Sequence, residues 1–422
     1  MSEEVPGRDG PADQGHTMRR WSQMVGISLG VQALVLGLGG GVVAAVTYAA
    51  MILLQGAIWG TLPDSRWVIL PVMVAGGAAI GLTRLMAAGP GLEEQIAQAR
   101  NPLAIHRREA AWVALGAILA VAFGGAIGPE AGILAVTAQL SSIVSLRLAR
   151  SAATRRRLAE AGIAGALSGV YGSPAGGPIH AEAKDAVPRP LLILAGLAGF
   201  MGFVVTAEFM MDGAIGMMRL PRLTVESTIW DTALACLAGA AGAAVGAAFL
   251  WLRARTAAIL ARACASRFWQ PVAGGAAAGL VCTAAPILLF SGHNEIGEML
   301  RLGAEHGPAL LVLLGLGKAL ACALCVGSNW QGGVVFPMCF AGGAAGAAVL
   351  FLLPGLDPVL GVAAGMSAAA AVGMRRPLVA GAIMLFTIGG GLAVAVLVGT
   401  LIGWYTLRLL PLDPVEADSH AS

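Results

Sequence analysis

Charge is what this sequence has least of. Only 12% of its 422 residues are Asp, Glu, Lys or Arg, about half the share of an ordinary soluble domain, and lysine occurs at just two positions, Lys184 and Lys318. The formal net charge of +3, with basic residues in short connectors such as 147–157, excludes a nucleic-acid-binding face, which needs concentrated positive charge. The groupings of an enzyme are also missing. His293-Asn294-Glu295 has no second histidine at H-E-x-x-H spacing, Gly317-Lys318 is followed by Ala319 where a phosphate loop needs Ser or Thr, and no Ser/His pair on neighbouring spans stands out. Cys236, Cys264, Cys282, Cys322, Cys325 and Cys339 lie in or beside apolar stretches, without disulfide-framework or zinc spacing. Cys322 and Cys325 read as one packed helix face rather than a redox pair. No catalytic residue, cofactor or metal is expected.

What is present is apolar: 57% of residues are hydrophobic, 60 are glycine, and the mean hydropathy is +0.80. Apolar runs at 24–58, 67–87, 110–144, 190–211, 232–252, 271–290, 309–326, 332–353 and 378–402 are long enough for a hydrocarbon core of about 30 Å. Ten or more crossings are implied, in a multi-pass protein of the cell (inner) membrane. The positive-inside rule puts Arg19, Arg20 and the 147–157 cluster in the cytoplasm. Residues 1–20 read as a disordered polar tail without a signal peptide and 411–422 as a short polar tail, with no room for a soluble regulatory domain at either end.

The chain repeats itself. Gly124-Gly125-Ala126-Ile127-Gly128-Pro129 returns as Gly332-Gly333-Val334-Val335-Phe336-Pro337, both G-G-x-x-x-P. Ala161-Gly162, upstream of Pro174, returns as Ala364-Gly365, equally far upstream of Pro377, at nearly the same shift. Repeats with matching Gly/Pro interruptions point to a transporter whose site lies between broken helices near the midplane. The residues alone leave parallel and inverted repeats open. The expected fold is all-α and polytopic, with two related halves, taken as inverted, of tilted and broken helices within 21–410, divided near 260/261 in the charged connector at Ser266-Arg267 or just before it.

Three Gly/Pro breaks interrupt apolar runs: Gly89-Pro90-Gly91-Leu92-Glu93, 125–130 and 332–337. Irregular backbone survives at membrane depth only where protein buries it or a cavity adjoins it. Proline in a first helical turn costs no hydrogen bond, so each break is a candidate helix start with free N–H groups and the positive end of a dipole. Any one break reads more simply as a kink or close-packing device. Three together favour a site that binds an anion by partial charge and releases it again.

In order and surroundings these breaks resemble the signature motifs of the CLC chloride channel and transporter family, bacterial type, which read G-S-G-I-P, G-R/K-E-G-P and G-x-F-x-P. The stretches 161–169, Leu324 to Ser328 and Arg376 to Gly381 are similar too, so the resemblance spans about 22–400. It implies a homodimer in the bilayer with one anion pathway per subunit, carrying chloride, nitrate or another halide. Gly89, Pro90, Gly91, Leu92, Ala126, Ile127, Gly128, Val334, Val335 and Phe336 would surround the anion, with the amides of Ile127, Gly128, Val334 and Val335 in contact.

The departures matter equally. The family's gating glutamate falls on Ile127, while Glu130 stands three residues on, reading equally as a helix N-terminal acid and as a displaced gate. Pro90 replaces the family's serine hydroxyl, which members favouring nitrate also lack. The inner proton-carrying acid falls on Lys184, between Glu182 and Asp185, and reads as a solvated helix end. Tyr405 is the nearest substitute for the tyrosine of the family's last helix, and Lys318 is an intramembrane cation that reads either as a pathway residue or as a partner of helix-end carbonyls. His180 and His293 read as ordinary polar residues. With both proton positions non-acidic, sequence places a passive channel ahead of a proton-coupled exchanger, and Glu130 keeps the exchanger open.

Overall fold

The computed structural model describes residues 11–87, 107–148, 151–180, 187–211, 229–264, 266–353, 357–388 and 390–410. Among them the helices are α1 (Pro11–Trp59), α2 (Ile69–Met86), α3 (Arg107–Ala122), α4 (Glu130–Leu148), α5 (Ala152–Val170), α6 (Gly176–His180), α7 (Arg189–Met211), α8 (Ile229–Ala263), α9 (Trp269–Ala284), α10 (Ile296–His306), α11 (Pro308–Gly327), α12 (Val335–Phe351), α13 (Pro358–Met374), α14 (Pro377–Ile388) and α15 (Ala393–Leu409). Extended backbone pairs in an isolated antiparallel bridge between Gly128 and Gly333. The all-α expectation holds.

Two of the helix starts follow directly from sequence. At α5 the Ser151 side chain accepts from the Thr154 amide. At α13 the Asp357 carboxylate accepts from Val359 N at 2.9 Å, with Pro358 in the first turn. α1 begins ten residues inside the segment expected to be a disordered tail. Pro11 suits a first helical position, and several residues after it, including Ala12, Gln14, Met18, Arg19 and Arg20, favour helix.

Among the described residues, five helices are long and apolar enough to cross a bilayer: Leu29–Trp59, Arg66–Met86, Arg189–Met211, Ala233–Ala263 and Pro308–Gly327. Other apolar helices among the described residues are shorter: α12, α13 and α15 have 17 residues and α14 has 12, and at 1.5 Å per residue they reach about 18–26 Å, short of the core thickness. The ten or more crossings expected from hydropathy are thus a mixture of full spans and shorter helices. The reason is that α4 and α12 start inside their apolar runs, at the glycine-rich breaks.

The two halves share one packing scheme. In the first, α1 lies against α3, α4, α5 and α7, and α5 against α4 and α7; in the second, α8 lies against α11, α12, α13 and α15, and α13 against α12 and α15. The correspondence runs α1 to α8, α3 to α11, α4 to α12, α5 to α13 and α7 to α15, while α2 and α9 pack on each other across the halves. By this correspondence α8 (Ile229–Ala263) groups with the second set of helices. Arg253, Arg255 and Arg262 resemble a connector in sequence but belong to the end of α8. The antiparallel approach of Gly128 and Gly333, which precede equivalent helices, is the geometry that inverted halves produce.

Small residues let these backbones touch. A Cβ on Gly37 would overlap the backbone of Ala195 and one on Gly165 that of Gly37, joining α1, α5 and α7; a Cβ on Gly242 or Gly342 would overlap Gly365, and one on Gly399 would overlap Ala364, joining α8, α12, α13 and α15. α12 and α13 are buried along nearly their whole length. Gly365→Val, which drives side-chain atoms into the Gly342 carbonyl, is expected to cost roughly 3 kcal/mol through overpacking. A lower thermal unfolding temperature in detergent and loss of a monodisperse elution peak would show it.

Candidate anion site

The two G-G-x-x-x-P segments meet. Gly128 N donates to Gly333 O at 2.8 Å and Gly333 N donates to Gly128 O at 2.9 Å. The first segment is a tight turn: Gly124 has φ +87°, a glycine-favouring conformation, Gly125 N donates to Ala120 O at 3.1 Å, and Ile127 N to Gly125 O at 2.7 Å. Two indoles anchor the assembly. Trp59 Nε1 donates to Ala122 O at 3.0 Å at the end of α3, and Trp330 Nε1, just ahead of the second segment, donates to Pro271 O at 2.8 Å in α9.

This bonding corrects part of the expected site. The amides of Ile127 and Gly128 are already committed to backbone carbonyls, and Ala126 is fully buried beside them. The Ile127 and Gly128 amides were expected in contact with an anion; the turn uses the first donor and the bridge the second. The Ile127 side chain is fully buried against Gly332, where a Cβ would overlap it. It is a packing wedge between the two segments.

The second segment behaves differently. α12 starts at Val335 with Val334 as its N-cap, and no side chain of Val334 bonds the helix start. Its open amides are met from the other half of the protein, where Glu130 Oε1 accepts from Val335 N at 3.1 Å. The amides of Phe336 and of Glu130 itself also face this carboxylate. Glu130 is buried, Oε2 has no hydrogen-bond partner among the described residues, and a Cβ on Gly128 or Gly333 would overlap the carboxylate. An acid that only capped its own helix would stay on α4. Glu130 instead fills a position for negative charge formed where two helix starts converge, a setting that favours an anion through amides and helix dipoles.

The remaining candidates separate clearly. Gly89, Pro90, Gly91 and Leu92 lie outside the described residues, as do Glu182, Lys184 and Asp185. Tyr405 is 62% exposed, which removes it from an enclosed pathway; its position near the end of α15 turns it outward. Lys318 is fully buried, and Nζ donates to the carbonyls of Leu288, Leu289 and Phe290 at 3.0, 3.0 and 2.7 Å. Its three N–H donors are thereby used, so it secures the turn after α9 and leaves no donor for an anion. Lys318→Met is expected to cost at least about 3 kcal/mol in stability by stranding three buried carbonyls, with an unchanged ratio of nitrate to chloride flux. Thermal unfolding and paired efflux measurements check this.

Nothing in the sequence marked the surroundings of His293. Its Nδ1 lies 2.6 Å from Ser291 Oγ, and its ring packs 4.8 Å from the ring of Phe336 in the first turn of α12. The free thiols of Cys322 and Cys325 are buried, as a packed face requires.

Two repeated halves of helices, several too short to cross, that bring backbone donors together around a negative group define a membrane protein built to handle anions. The chain belongs to the voltage gated chloride channel family, whose family model matches residues 72–408. It is 25% identical over 345 residues to YfeO of Shigella flexneri, described as a putative ion-transport protein, covering 75% of this chain and 78% of that one. It is 24% identical over 320 residues to chloride channel protein CLC-f of Arabidopsis thaliana, covering 69% of this chain and 40% of that one. Among solved structures it is similar in fold to a CLC-type fluoride/proton antiporter, with TM-score 0.70, 19% identity and coverage of 90% and 96%. A slow cyanobacterial Cl-/H+ antiporter matches with TM-score 0.71, 17% identity and coverage of 93% and 96%.

Proposed function

We propose that this protein exchanges a small inorganic anion, chloride or nitrate or another halide, for protons, with Glu130 as the gate. The observation that carries the reading is the bond from the Val335 amide to the Glu130 carboxylate. Ionised, the carboxylate holds the position an anion would take. Protonated, it loses the charge that the helix ends favour and gives way, so anion entry and proton uptake are linked at one site. We place exchanger before channel, reversing the order suggested by sequence, because Glu130 also reaches the helix start of the opposite half. The antiporter activity named for two proteins of similar fold supports the same choice. A homodimer in the inner membrane, with one pathway per subunit, completes the proposal.

Passive conduction is the second reading, favoured by Lys184 at the family position of the inner acid. Purified protein in chloride-loaded liposomes separates the two. Exchange predicts proton movement in fixed proportion to chloride efflux and opposite in direction, whereas chloride efflux with no accompanying proton movement would leave a channel.

A further inference from the structure

The segment between α9 and α10 is clamped more firmly than a connector needs. Phe290 has φ +55° and Gly292 φ +81°, and a bulky residue in the left-handed region is strained unless its surroundings fix it. Lys318 Nζ holds the carbonyls of Leu288, Leu289 and Phe290. Phe290 N donates to Gly124 O at 3.4 Å, in the first G-G-x-x-x-P turn, and the Phe290 ring meets that of Trp59 edge-on. What the loop carries is His293, whose ring packs on Phe336 of the second such segment. One strained loop thus touches both breaks. Strain of this kind gathers at functional positions.

His293 is buried, and Asn294 beside it is exposed. The imidazole therefore lies one residue inside the surface. On its inner side Phe336 joins it to the gate, with its ring against the imidazole and its amide facing the Glu130 carboxylate. Ser291 Oγ, 2.6 Å from Nδ1, serves either protonation state, because a hydroxyl donates to a bare ring nitrogen and accepts from one that carries hydrogen. Two opposite charges flank the loop. A Cβ on Gly292 would stand 3.0 Å from Lys318 Nζ, which opposes a proton on His293, while Glu295, two residues on, favours one and also reaches Lys318 and Tyr48 of α1 electrostatically. α12 presents the uncharged rings of Phe336 and Phe340 to this loop. Histidine, with an ordinary pKa of about 6.5, takes up and releases protons near neutral pH.

We infer that His293 relays protons between solvent at Asn294 and the gate carboxylate of Glu130. The inference rests on the exchange proposed above and assigns the route by which its protons enter and leave at one face. A proton from water binds the neutral imidazole and makes it imidazolium. When the Glu130 carboxylate leaves the Val335 amide, the imidazolium gives that proton to a carboxylate oxygen, which leaves a neutral acid and a neutral imidazole. The reverse step returns the proton to water.

The test compares coupled with passive transport. His293→Asn keeps a hydrogen-bond partner for Ser291 and His293→Phe keeps a ring against Phe336, but neither side chain takes up a proton near neutral pH. In chloride-loaded liposomes both are expected to slow proton movement, and the chloride efflux coupled to it, about a hundredfold at neutral pH, the low end of what a positioned proton-transfer group contributes. The deficit is expected to shrink toward acidic pH, where hydronium protonates the gate directly. In the Glu130→Gln background, where efflux needs no proton, neither substitution should change chloride efflux. Coupled exchange at the wild-type rate overturns the inference. Equal slowing of efflux in the Glu130→Gln background also overturns it, by showing that His293 only packs the start of α12. Both results leave Glu130 as the gate, whereas wild-type chloride efflux without proton movement would overturn the exchange reading and the relay with it.

Discussion

Glu130→Gln is expected to abolish proton movement, raise chloride efflux about tenfold or more, and make that efflux nearly independent of pH. The amide keeps the shape and length of the side chain but has no charge to offer the Val335 N–H. A hydrogen bond to a charged group contributes about 1.5–3 kcal/mol, so removing the charge frees the site for an anion by roughly one to two powers of ten. Efflux from liposomes, followed with a chloride electrode while a pH electrode records protons across acidic to neutral pH, measures all three effects. If efflux, proton movement and pH profile match wild type, Glu130 is a helix-end acid and the gate lies elsewhere. Faster chloride efflux with proton movement retained would assign the anion barrier to Glu130 and the coupling to another group.

Gly333→Ala should reach a similar state without touching the acid. A Cβ at this position would overlap the Glu130 carboxyl group, and the far end of a glutamate moves more readily than backbone. The added methyl should push the carboxylate off the α12 start. The expected result is loss of proton coupling and faster chloride efflux than wild type at neutral pH, with little change in unfolding temperature. Combining it with Glu130→Gln should add little, because both changes remove the same occupant. Additive effects would show that Gly333 acts on the pathway independently of the carboxylate.

Much of this architecture is written in residues that have few other uses at membrane depth. The paired G-G-x-x-x-P segments announce two broken helices because glycine permits the tight turn at Gly124 and a first helical turn tolerates proline. What those segments do to each other is not local. The bridge between Gly128 and Gly333 is made by backbone groups, whose pairing leaves no side-chain signature, so the amides of Ile127 and Gly128 look available from sequence when they are not. Glu130 in a first turn looks the same whether it caps its own helix or one from the other half. Its partner Val335 is distant in sequence and belongs to the opposite repeat. The boundary between halves is obscured by arginines near the end of α8, since charge marks helix ends and connectors alike. Tyr405 shows the same limit: its place near the end of the sequence suggests it for the pathway, and only packing shows it turned outward.

The paired bonds between Gly128 and Gly333 also set the kind of machine this is. They act as a rivet holding the two repeats together at the site itself. A carrier that alternated access by rocking one repeat against the other would have to strain or break that rivet in every cycle. With it in place, the moving part of the proposed exchanger shrinks to one carboxyl group, and turnover in that proposal is set by how often a single side chain swings. Distances between spin labels on the two repeats should then stay constant between acidic and neutral pH while transport proceeds.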